Sequence, residues 1–150
     1  MSSAKVVSTL YETDFVEWVN QTAQLLREHR FDAVDLENLV EEVEDLSRRE
    51  RDALYSNLKV ILIHLLKWQF QSERHTSSWR ASIVEHRQRL QRQLKNAPSL
   101  KPYLEETFLE CYEDARSLAV AETGLDLAVF PQECPYTVRE TLAQDFWPIS

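Results

Sequence analysis

The chain has one glycine, Gly124, in 150 residues, and neither glycine nor proline before Pro98. These two residues are the strongest local breakers of regular structure. Their absence leaves the first two-thirds free to run as long helices. It also excludes a glycine-rich phosphate loop, a glycine-hinged lid and any two-residue hairpin that needs glycine at positive φ. Cysteine is equally scarce. Cys111 and Cys134 are the only two, too few for a disulfide framework, so both are read as reduced thiols and the compartment as cytosolic, which makes the expected localisation cytoplasmic. Long apolar runs are missing too. The greasiest stretch, residues 58–70, contains Lys59, His64 and Lys67, whereas a membrane span needs about 20 apolar residues. Residues 1–10 carry one lysine and no apolar segment, so no secretory leader is expected.

What is present suits a folded domain: 43% hydrophobic and 28% charged residues, too rich in apolar groups for a disordered chain. Its periodicity is helical throughout. Residues 1–10 lack a pattern and are expected to fray. Phe15, Trp18, Val19, Thr22, Leu25 and Leu26 make one face of a first helix from about Thr13 to His29, with Thr13 or Asp14 as N-cap. Asp32 or Asp35 opens a second region whose face is Leu36, Leu39, Val40, Val43 and Leu46. Residues 47–52 are all polar, and whether residues 32–71 form one helix or two stays open. From Ala53 the stripe resumes through Leu54, Leu58, Ile61, Leu62, Leu65 and Trp68, with Val60, Ile63, Leu66 and Phe70 on the other side. A helix apolar all round is buried all round, so this segment is expected to be central.

A third helix follows over about residues 78–96, capped by Ser77 or Ser78 and stopped before Pro98. Its inner side is read as Trp79, Ile83, His86, Leu90, Leu94 and Ala97, leaving Arg80, Arg87, Arg89, Arg92 and Lys95 outside. Ser99 caps a fourth helix with Pro102 in its first turn, and Gly124 ends it. Residues 125–136 form a loop marked by Pro131 and Pro135. Thr137 with Glu140 makes a capping box for a short last helix ending near Phe146 and Trp147. The expectation is an all-α fold: a single-domain helical bundle over residues 11–150 with four main helices and a short C-terminal one.

Charge is uneven along this frame. Residues 32–46 hold seven acids and no base, while residues 67–95 hold seven bases against Glu73 and Glu85, within an overall charge of −8. The plain reading is a basic helix lying beside acidic ones, since exposed ion pairs are common and weak. The sharper reading is an anion or nucleic-acid patch built from Arg74, Arg80, Arg87, Arg89 and Arg92, whose forks match phosphate geometry, with Trp79 at the helix entrance to stack. A protein partner could use the same patch.

Catalytic signatures are absent. His64, His75 and His86 are eleven residues apart, about 16 Å along a helix for each step, too far to share a metal. There is no Glu-x-x-His, His-Glu-x-x-His or Cys-x-x-Cys, so no metal and no cofactor are expected. His64 sits inside an apolar run and Glu122 continues the stripe of the fourth helix at Ala115, Leu118 and Ala119; both are candidate buried polar residues in need of a partner. No rule of spacing places them together. No elbow motif surrounds any serine or cysteine, and Cys134 is read as a loop anchor.

Several segments together resemble one family: Tyr11-Glu12-Thr13-Asp14-Phe15 with Trp18, residues 36–46 with Glu41-Glu42, His64-Leu65-Leu66-Lys67-Trp68, Ser78-Trp79-Arg80, Pro98-Ser99-Leu100, Glu122-Thr123-Gly124-Leu125, and Phe130-Pro131 with Cys134-Pro135-Tyr136. In this order, over about residues 10–148, they resemble the domain of unknown function numbered twenty-nine. The resemblance implies an all-helical bundle, a bacterial cytoplasmic setting and a cyanobacterial source. It implies no reaction and carries over no catalytic residue. The functional expectation is therefore a non-enzymatic binding or protein-interaction module, with a protein partner or self-association and no membrane. The alternatives are nucleic-acid or phosphate binding through residues 78–96, or an unrecognised enzyme using His64 or Glu122.

Overall fold

A computed structural model describes residues 3–71, 73 and 75–149, with side chains from Val7 onward. Six α-helices and no strand occur among the described residues: α1 (Ser3–Thr13), α2 (Phe15–Arg27), α3 (Leu36–Phe70), α4 (Ser77–Asn96), α5 (Lys101–Thr123) and α6 (Val138–Leu142). The all-α expectation holds. The chain falls into two compact units, Met1–Arg49 and Glu50–Ser150, a division that the sequence, with no breaker near Arg49, does not announce. The open question over residues 32–71 resolves to one helix, α3, unbroken across its polar stretch.

In the first unit, α1 occupies residues read from sequence as frayed. Val7 is buried there beside Trp18, Leu25, Ala33 and Val34, a small core that Leu10, Tyr11 and Leu39 edge. Asp14 caps α2, its side chain accepting from the Glu17 amide at 3.1 Å. The helix stops at a left-handed His29 (φ 58°), and a 3-10 turn over Phe31–Ala33 leads into α3. Asp35 is buried at that junction. Its Oδ2 accepts from the Trp18 indole at 3.3 Å and from the Asn38 amide at 2.7 Å, so the carboxylate is tied to both helices.

The second unit packs around the later turns of α3, where Leu54, Leu58, Ile61, Leu62, Ile63, Leu65 and Leu66 are all buried. Ile83 and Leu90 from α4, and Leu104, Phe108, Cys111, Tyr112, Ala115 and Ala119 from α5, fill the same core. Local endings differ in detail from the sequence reading. Thr76, not Ser77 or Ser78, caps α4 by accepting from the Trp79 amide at 3.2 Å. Ser99 caps nothing. Pro98–Leu100 is a 3-10 turn running into α5, whose N-cap is Leu100. Gly124 does end α5 in the left-handed region (φ 72°), and the Thr137–Glu140 capping box is closed in both directions at 3.0 Å. The helix it starts ends at Leu142, well before Phe146.

The loop between α5 and α6 is held by side chains reaching its carbonyls. Arg116 donates to the oxygens of Phe130 and Leu127 at 3.0 and 3.1 Å, and the Tyr112 hydroxyl to that of Pro131 at 2.5 Å. Because Leu62 is fully enclosed, Leu62→Ala is expected to cost about 2–5 kcal/mol in urea unfolding. Val43→Ala, at a 58% exposed position, should stay within about 0.5 kcal/mol.

Candidate interaction surfaces

The arginines of α4 meet separate fates. Arg87 was read as exposed and is fully buried, a correction that removes it from any anion patch. Its Nε donates to the carbonyl of Thr141 at 2.8 Å, Nη1 to that of Phe146 at 3.0 Å and Nη2 to that of Glu140 at 3.1 Å. Helix phase explains the inversion: Arg87 lies four residues after Ile83 and three before Leu90, on the buried line of α4. His86 sits beside that line, half-buried. Burial pushes the Arg87 guanidinium down to about 10, against the pull of Asp145, so it is still a cation at neutral pH. Arg80 is exposed and lies over the Trp147 ring at 4.7 Å. Arg89 pairs with Glu85 at 2.7 Å and meets Arg92 at a shallow cleft of about 330 Å³ that Glu50, Asn57, Gln93 and Asn96 also line. Arg74 lies outside the described residues.

The polar residues singled out for chemistry are also accounted for. Glu122 is exposed, correcting its reading as a buried carboxylate. It lies just past the buried line that ends at Ala119, and pairs with Lys67 at 3.5 Å. His64 is half-buried. Its Nδ1 lies 2.9 Å from the Val60 carbonyl, which can only accept, so Nδ1 carries the proton and Nε2 the lone pair. Burial lowers its proton affinity, Lys67 and His86 add to that, and Glu122 opposes it. These four residues thus share one neighbourhood, a grouping no spacing rule could supply. Cys111 is buried and pushed up to about 12 by desolvation. Cys134 anchors the loop through Sγ to the Tyr136 carbonyl at 3.3 Å and is raised to about 11 for the same reason. Neither is an activated thiol. Among the described residues no group of three His, Cys, Asp or Glu side chains could hold a metal ion, and no helix is long and apolar enough to cross a membrane.

The most open apolar feature belongs to the first unit. Phe15, Trp18, Val19, Thr22, Ala23 and Leu26 of α2 face Leu39, Glu42, Val43, Leu46 and Arg49 of α3 across a groove of about 330 Å³. The stripe read from sequence as core is largely bare: Leu36 is 65%, Val43 58% and Leu46 60% exposed. Trp18 is the exception, buried with Tyr11 packed edge-on at 4.9 Å. Thr22 lines the groove with its side-chain oxygen buried and without a hydrogen-bond partner. Glu42 accepts from the Tyr11 hydroxyl at 2.5 Å. Outside the groove, Arg48 gathers Glu41 at 2.9 Å, Glu44 at 3.7 Å and the adjoining Asp45. Periodicity found these apolar residues but assigned them to an interior, because a stripe says that a face wants cover and not what provides it.

An all-helical protein with one well-filled unit and one partly uncovered unit is the class defined by this geometry. The chain belongs to the family described as domain of unknown function DUF29, whose model matches residues 10–147. No curated protein and no solved structure matches it.

Two outcomes follow for the second unit. Arg87→Met keeps the apolar stem and strips the donors from three carbonyls, so unfolding should become easier by about 3 kcal/mol or more, with Arg87→Lys between it and wild type. For His64, the folded state holds its proton less tightly than the unfolded chain, whose ordinary value is 6.5. Unfolding therefore takes up protons below that pH, and stability falls as the solution is acidified through 6.5. His64→Gln should flatten that part of the stability–pH curve in denaturant titrations.

Proposed function

We propose that this chain is a non-enzymatic binding module of the cytoplasm that works by protein–protein contact through the groove between α2 and α3. One observation carries the reading. Among the described residues, nine of the fourteen large hydrophobic side chains that are exposed lie in residues 15–46 (Phe15, Val16, Val19, Leu26, Phe31, Leu36, Val40, Val43 and Leu46), and five of them, Phe15, Val19, Leu26, Val43 and Leu46, line the groove together. Proteins that work alone rarely leave contiguous apolar area of this kind in water, and such patches commonly mark interaction sites. A groove between two helices accepts a third amphipathic helix through anchors spaced at i, i+3, i+4 and i+7. The thiols and Arg87 are engaged in holding the second unit together, which leaves the first unit as the better candidate for contact.

Site-directed photocross-linking in the native host tests this. A photoreactive side chain at Val19 or Val43 should give discrete protein adducts, while one at the equally accessible Leu127 should not. Leu46→Asp should abolish the adducts without changing the helical circular dichroism. Equal labelling from Leu127, or none from Val19 and Val43, would reject the proposal.

A further inference from the structure

Resting on that reading, we infer that the groove of the first unit takes a basic amphipathic helix of a partner protein, and not a second copy of this chain. Charge decides between the two. Residues 1–49 hold eleven acids against five bases, a net of −6, whereas residues 50–150 hold fourteen against twelve, a net of −2. The excess is concentrated beside the groove. On α3, Leu36, Leu39, Val40, Val43 and Leu46 form the apolar line; at about 100° per residue, Glu37 and Glu44 flank it on one side and Glu42 on the other, with Glu41 and Asp45 behind. Arg48 is already shared among Glu41, Glu44 and Asp45, and Arg49 is the one base in the groove lining. Five acids thus stand against two bases along these turns. A second copy would bring two such acidic rims face to face, which like charges oppose. A helix with an apolar stripe and lysine or arginine on its flanks satisfies both the groove and its rim. The lining on α3 runs from Leu39 to Arg49, about 15 Å or three helical turns, the length over which an i, i+3, i+4, i+7 set of anchors repeats.

The test uses the full chain and three synthetic peptides of about 15 residues, roughly four turns: a leucine-striped helix with lysine and arginine flanks, its glutamate-flanked twin, and a scramble of the basic peptide. Binding is read by fluorescence anisotropy. The basic helix should bind, and both others should bind at least about tenfold more weakly. Its affinity should drop several-fold on raising salt from about 50 to about 500 mM. Val43→Asp should abolish binding, and combined Glu37→Gln, Glu42→Gln and Glu44→Gln should weaken it several-fold while both variants keep wild-type circular dichroism. Equal binding of the glutamate twin or of the scramble overturns the inference. If no peptide binds and light scattering finds a dimer that Val43→Asp dissolves, a second copy is the occupant; the inference fails while the binding-module reading stands. If no peptide binds and the chain is monomeric, with no adducts from Val19 or Val43, both fail.

Discussion

Seven side chains between Leu54 and Leu66 leave water together, and the second unit is arranged around that requirement. One helix can bury residues over more than half of its circumference only if other elements approach it from several directions. Here α4 and α5 supply Ile83, Leu90, Phe108 and Tyr112, and the loop after Gly124 closes the remainder with Phe130 and Tyr136. Each of these residues gains from burial only because the others complete the enclosure, so the core is cooperative by construction. The polar contacts at its margin serve the same end. The Tyr136 hydroxyl donates to Gln69 Oε1 at 2.8 Å, and the Gln144 amide to the Val84 carbonyl at 3.0 Å. Such bonds add little net energy individually, but they satisfy groups that would otherwise be stranded away from solvent.

The first unit is built on a different balance. Its core is five buried apolar residues, knitted by the Trp18–Asp35–Asn38 hydrogen bonds. Beyond that, α2 and α3 hold their apolar lines apart across open space. The same kind of sequence pattern therefore yields an interior in one place and a bare surface in the other. What differs is the supply of covering elements: three segments converge on the later turns of α3, while no residue of α1 lines the groove of the first unit.

Much of this was legible from residue order. The absence of breakers forecast helices, the Thr137–Glu140 box and Gly124 marked their ends, and the run from Leu54 to Leu66 identified the central element. Three things were not legible. A one-residue error in helix phase exchanged His86 for Arg87 on the inner side of α4, because the buried arginine's acceptors lie more than fifty positions away. Glu122 follows the α5 stripe by spacing yet falls outside the core, since only packed neighbours define where a stripe ceases to be covered. Finally, the groove residues carry the pattern of an ordinary core face, and no local rule separates a face covered by its own chain from one left bare.

The carbonyls that receive Arg87 belong to residues 140–146, so its partners are made more than fifty residues after it. During synthesis the guanidinium therefore waits in water while α4 and α5 are already complete. The step that draws it inside, and seats Trp147 against Trp68 at 4.8 Å, can occur only once that last segment has left the ribosome. Until then a nascent chain exposes the flank of α4 that the mature protein keeps dry.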